Sequence, residues 1–166
     1  MAVSRLRFLT ASGAATASLV ACGPQSSTTT AEAPSPPPPV AVAKAKSFQV
    51  GKAVAFQYPD AQAPALAVKM GQKVEGGVGP DGDIVAYSQL CVHRGCPVSY
   101  HAGTRTFVCP CHYSVYDPER SGQLVIGHAT TNLPRITLAY DASSDDVTAT
   151  GVQGLIYGRS DNGKLG

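Results

Sequence analysis

Residues 91–96 read Cys-Val-His-Arg-Gly-Cys, and residues 109–114 read Cys-Pro-Cys-His-Tyr-Ser. Each box opens on a cysteine followed two or three positions later by a histidine, Cys91 with His93 and Cys109 with His112. Each also holds one further cysteine, Cys96 in the first and Cys111 in the second. A thiolate and an imidazole this close on a tight loop can reach two neighbouring metal atoms, and two such loops facing each other make a cage of four donors. Gly95 and Pro97 suit a rigid, sharply turned loop.

Three chemistries use this residue set. Structural zinc would take two thiolates and two imidazoles. That accounts for four residues, but not for the second matched cysteine pair or for Ser114 and Tyr116 beyond it. Two plain disulfides among the four cysteines would leave both histidines idle. A [2Fe–2S] cluster needs two ligands on each iron, and imidazoles on one iron raise the potential by removing negative charge. On that reading Cys91 and Cys109 hold the inner iron, and His93 and His112 hold the outer iron nearer solvent. Cys96 and Cys111, in what read as equivalent places of their loops, could then pair as a disulfide, given an oxidising compartment.

Outward from the boxes, short β-prone runs alternate with turns. Residues 53–57, 65–69, 84–87, 105–108, 123–126, 136–140, 147–150 and 155–157 are strand candidates. Gly79-Pro80-Asp81-Gly82-Asp83 and residues 141–146 are turns. No window carries a sustained helical period, and no repeat is present. The expectation is one all-β domain, a small sandwich or barrel, over residues 48–166.

The N-terminal side has a different character. Residues 1–22 carry Arg5 and Arg7 ahead of a short, mildly apolar stretch ending in small residues. This is the shape of an export signal, too short for a membrane span. Leu19-Val20-Ala21-Cys22 resembles a lipobox, which makes Cys22 a candidate for lipidation and explains the odd cysteine. Ser4-Arg5-Leu6-Arg7-Phe8-Leu9 resembles a twin-arginine signal with its arginine pair interrupted. Residues 23–47, rich in Pro, Ser, Thr and Ala and including Pro36 to Pro39, read as a disordered, extended tether. The expected location is the periplasm or the extracytoplasmic face of the membrane, through a lipid anchor.

Composition narrows the classes further. Apolar residues make up 43% of the 166, enough for a core, while charged residues reach only 14%. With Arg5 and Arg7 assigned to the export segment, 11 basic residues meet 11 acidic ones. A near-neutral domain has no electrostatic footprint for nucleic acid.

The double motif C-x-H-x-G-C and C-P-C-H-x-S resembles the Rieske family. The resemblance implies a Rieske-type antiparallel sandwich or barrel with a cluster-binding loop subdomain, and one [2Fe–2S] cluster. By position it makes Cys91, His93, Cys109 and His112 the ligands and Cys96–Cys111 the disulfide. It gives Ser114 a hydrogen bond to a bridging sulfide and Tyr116 one to a ligand cysteine, both of which raise the potential. Within the family, residues 79–86, 95–100, 114–119, 129–134 and 154–159 are similar to the small subunit of arsenite oxidases. That likeness implies a heterodimer whose large subunit carries a molybdenum–pterin centre and a [3Fe–4S] cluster. Electrons would pass through this chain to a periplasmic cytochrome c or a copper protein, with no substrate chemistry on the chain itself. The alternative is the Rieske subunit of a quinol-oxidising cytochrome bc complex. That type carries a G-P-A-P loop where this chain has Gly127-His128-Ala129-Thr130. His101 and His128 read as loop residues.

Overall fold

The computed structural model describes residues 37–163. The export segment, Cys22 and the start of the tether lie outside the described residues. The strands are β1 (Val40–Lys44), β2 (Ala53–Gln57), β3 (Pro64–Lys69), β4 (Ile84–Ser88), β5 (Ser99–His101), β6 (Thr106–Val108), β7 (Val115–Asp117), β8 (Gln123–Ile126), β9 (Arg135–Asp141) and β10 (Asp146–Gln153). They form a six-stranded antiparallel sheet, β1-β10-β9-β4-β3-β2, and a four-stranded one, β5-β6-β7-β8. The fold is all-β, a nearly closed antiparallel barrel with a smaller four-stranded sheet beside it.

Strands β3 and β4 explain how the two parts join. Every residue of β4 is buried, as are the four central residues of β3. Successive side chains on a strand point to opposite faces. Leu66, Val68, Val85 and Tyr87 enter one core together with Phe107 and Tyr116 of the smaller sheet and Cys109 just after β6. Ala65, Ala67, Ile84 and Ala86 enter a second core with Phe48, Tyr58, Ile136 and Val147. The near-continuous apolar runs in β3 and β4 therefore mark strands covered on both sides. Tyr87 carries the first core into the smaller sheet. Its ring meets Phe107 edge-on at 5.6 Å and its hydroxyl donates to the Pro118 carbonyl at 2.7 Å. Burial pushes the Tyr87 hydroxyl up to about 12, so it stays a donor.

The first boundary needs correction. Val40–Lys44, expected to be tether, is strand β1, with Val40 opposite Ala149 and Lys44 opposite Asp146. The Val-Ala-Val-Ala alternation is a strand pattern that the preceding proline run obscures. Lys44 closes the edge with an ion pair to Asp146 at 2.8 Å. The 3-10 turn Ala45–Ser47 follows, with Ala45 buried. The folded domain thus begins by Val40. At the other end, residues 155–157 form no strand. They are irregular, pinned by Asn162, which accepts from the Ile156 N–H at 3.0 Å and donates to the Gly154 carbonyl at 2.6 Å.

Arg159 locks this C-terminal segment to the loop after β2. Its guanidinium, only 4% exposed, meets both oxygens of Asp60, at 2.6 and 2.8 Å. The Arg159 hydrogen bond holds the Asp60 carboxyl below its usual range, against the opposing effect of burial. A depressed folded value means the stabilisation is complete above the unfolded pKa, about 3.9. It disappears as pH falls through the lower folded value. Asp60→Asn leaves the guanidinium without its counter-charge and is expected to cost about 2–4 kcal/mol at neutral pH, read by denaturant unfolding. The difference from the parent protein should shrink at acidic pH.

Candidate metal centre

The two boxes fold into loops with the same hydrogen-bond frame. In the first, the Cys91 N–H donates to the Cys96 carbonyl at 2.9 Å and the Gly95 N–H to the Cys91 carbonyl at 2.7 Å. In the second, the Cys109 N–H donates to the Ser114 carbonyl at 2.9 Å and the Tyr113 N–H to the Cys109 carbonyl at 3.0 Å. Gly95 and Tyr113, the fifth residue of each loop, both have positive φ. The frames align Cys91 with Cys109 and Cys96 with Ser114. Cys96 and Cys111 are therefore not in equivalent places, since Cys111 aligns with His93. They still meet across the gap, bonded to each other with Cα atoms 6.5 Å apart.

Cys91 and Cys109 are free thiols, each 1% exposed. The His93 and His112 rings, one from each box, face each other with centroids 4.6 Å apart and nearly perpendicular. The His93 Nδ1 is buried with no hydrogen-bond partner. An orphaned buried nitrogen is a desolvation cost unless something else binds it. Burial, then the nearby charges of His112, Arg94 and His128, lower the His93 pKa and favour the neutral, ligating imidazole. Burial pushes the Cys109 thiol up, an effect a bound metal centre would reverse. Two soft sulfurs and two imidazoles are the donor set that a Rieske-type [2Fe–2S] cluster takes. The sulfurs of Cys96, Cys109 and Cys111 also lie within 4.8 Å of one another. Two of these three are spent in the disulfide and offer no thiolate.

Tyr116 and Ser114, expected as tuning residues, are both buried. The Tyr116 hydroxyl lies 3.2 Å from the Cys91 Sγ. Burial raises its pKa, so the hydroxyl keeps the proton it can donate to that sulfur. The Ser114 Oγ accepts from the Ala129 N–H at 3.1 Å, and its hydroxyl also lies within hydrogen-bonding reach of Tyr116.

His128, an ordinary loop residue by its sequence, is brought to the site by the fold. Its ring stacks on His93 with centroids 5.7 Å apart and lies 6.0 Å from His112. Gly127 makes this approach possible. A Cβ there would sit 2.3 Å from the Ser114 Cα, and φ is +116°. Because the neighbour is backbone, nothing can rotate away. Gly127→Ala is expected to cost about 2–4 kcal/mol, measured by thermal unfolding of the cluster-loaded protein. His101, by contrast, lies on β5 and meets none of these rings.

The Rieske [2Fe–2S] domain family matches residues 39–137, more than half of the chain and both boxes. The chain belongs to the Rieske family. Its cofactor is one [2Fe–2S] cluster. Among Rieske proteins, it is 42% identical over 117 residues to the iodate reductase subunit IdrB of Denitromonas iodatirespirans, spanning 69% of this chain and 62% of that one. The IdrB subunit of Pseudomonas sp. (strain SCT) is 39% identical, over 68% of this chain and 59% of its own. This Rieske chain thus spans about three-fifths of the length of those relatives. The cytochrome bc1 Rieske subunit of Corynebacterium glutamicum is 44% identical over only 61 residues, 36% of this chain and 15% of that one. The soluble domain of Rieske protein II from Sulfolobus acidocaldarius superposes with a TM-score of 0.64 at 26% identity. That match covers 75% of this chain and 82% of that one.

Proposed function

We propose that this chain is the electron-transfer subunit of an exported oxyanion oxidoreductase, with Cys91, His93, Cys109 and His112 as the cluster ligands. The observation that carries the reading is a pair of buried free thiols on the same two loops as two facing imidazoles, one with an orphaned Nδ1. When bound, the cluster supplies a one-electron carrier. Cys91 and Cys109 anchor it on the core side, while His93 and His112 take the side nearer solvent. Tyr116 and Ser114 donate hydrogen bonds that stabilise the reduced, more negative state. His112 and His128, both exposed, form the rim through which an electron would leave or enter.

The catalytic partner on this reading is a larger molybdopterin and [3Fe–4S] subunit, and the second redox partner a cytochrome c or copper protein. Arsenite oxidase is the assembly whose small subunit the sequence resembles. The similarity to two iodate reductase subunits favours the neighbouring chemistry, in which electrons run from this chain towards the catalytic subunit. An export signal over residues 1–22, lipidation at Cys22 and a tether running to about residue 39 would hold the domain at the extracytoplasmic face.

The assay uses the chain purified with its native partner and follows the visible bands of the cluster. Iodate-dependent oxidation of the reduced complex supports the reductase direction. Arsenite-dependent reduction of the oxidised complex supports the oxidase direction. A complex that answers only to a quinol would reject both.

A further inference from the structure

A cavity of about 510 Å³ lies where the loop between β8 and β9 meets the end of β10, and none of the residues walling it belongs to either box. Arg135 lines it and is only 9% exposed. Its Nη2 donates to the Glu75 carbonyl at 2.9 Å and its Nη1 to the Ser121 hydroxyl at 3.4 Å. Both acceptors are neutral. Among the described residues, no carboxylate comes within ion-pair distance of Arg135, whereas Arg159, the other deeply buried arginine, has Asp60. A guanidinium withdrawn from water without a counter-charge is costly, and an anion that reaches it offsets that cost. The two bonds use two of its five N–H groups, the guanidinium packs close to Gly76, and its planar fork matches a two-oxygen acceptor.

The surroundings narrow the ligand. Gln153 is the register partner of Arg135 across β9 and β10, so the two side chains leave the same face about 5 Å apart. Gln153 brings an amide to the wall, as does Asn132, whose Oδ1 already accepts from the Leu124 N–H at 3.1 Å, while Pro134 and Leu155 bring apolar surface, with Leu155 51% exposed. The volume suits a small organic molecule rather than a single inorganic ion, for which about 300–1,000 Å³ is the usual range. We propose that this cavity binds a small organic carboxylate, its carboxyl group on Arg135 and its hydrocarbon body against Pro134 and Leu155.

The test uses the full-length, cluster-loaded protein with succinate and benzoate as probes and inorganic phosphate as comparator, all at one ionic strength. Calorimetry should give saturable binding of at least one carboxylate, accompanied by a saturable rise in melting temperature. Arg135→Gln should abolish it. Gln153→Glu places a carboxylate opposite Arg135 within the chain itself. That variant should melt higher without ligand and bind the carboxylate about tenfold more weakly or worse. It also keeps the proposal testable if Arg135→Gln does not fold. Affinity for phosphate equal to that for the carboxylates, absence of saturable binding, or binding unchanged by Gln153→Glu would each overturn the proposal.

Discussion

Cys91→Ser or Cys109→Ser, produced with iron–sulfur assembly machinery present, is expected to yield folded protein with no iron and no visible absorption. Each thiol is 1% exposed and sits in the apolar layer between the two sheets. A serine hydroxyl there neither ionises nor offers a soft donor, so the inner iron loses half its protein ligation. His112→Ala should have the same outcome from the outer side. Folding should survive, because Leu66, Val85, Tyr87 and Phe107 hold the same core without the ligands. Iron analysis, absorption and electron paramagnetic resonance check this together with circular dichroism. Full iron content in either cysteine variant would mean that the ligands are misassigned.

The second large effect belongs to the disulfide. The double variant Cys96→Ser/Cys111→Ser removes a cross-link closing a loop of sequence separation 15. Loop-closure entropy alone puts the loss at about 3 kcal/mol. Unlike the ligand variants, this one should keep its iron while melting lower, and its cluster should be more accessible to chelators. The double change is cleaner than either single one. A lone thiol left at position 96 or 111 would lie within 4.8 Å of the Cys109 sulfur and could exchange with it or compete for iron. Iron loss in the double variant with folding intact would put a ligand where the bridge has been placed.

What could be read from the chain beforehand follows from how local each signal is. The boxes were legible because four donors and the disulfide pair fall within short loops. Strands β2, β3, β4 and β8 were legible because their apolar runs are bounded by glycine, proline and aspartate turns. β6 fell within the candidate 105–108, whereas β5 and β7, three-residue strands that closely follow the two boxes, were not legible because the box residues before them show no strand pattern. β1 was missed because four alternating Val and Ala residues after a proline run look like more tether. Only their pairing with β10 distinguishes them. His128 was missed because nothing in Gly127-His128-Ala129-Thr130 reveals that the chain returns to Ser114. The signal was the glycine, which marks close backbone approach but not what is approached. Arg135 shows the same limit, as its lack of a counter-charge is a property of the folded neighbourhood alone.

Strands β3 and β4, packed on both faces, act as a party wall between two rooms. The barrel room, lined mainly by alanines and valines, can be refurnished without touching anything that holds iron. The room across the wall cannot. A carrier whose charge alternates with every turnover is thereby mounted on masonry braced from behind, so the change in charge is met by a frame with little freedom to yield. Engineering that seeks a tougher protein with an unaltered potential should therefore work on the Ala65, Ala67 and Ala86 side and leave Leu66, Val85 and Tyr87 alone.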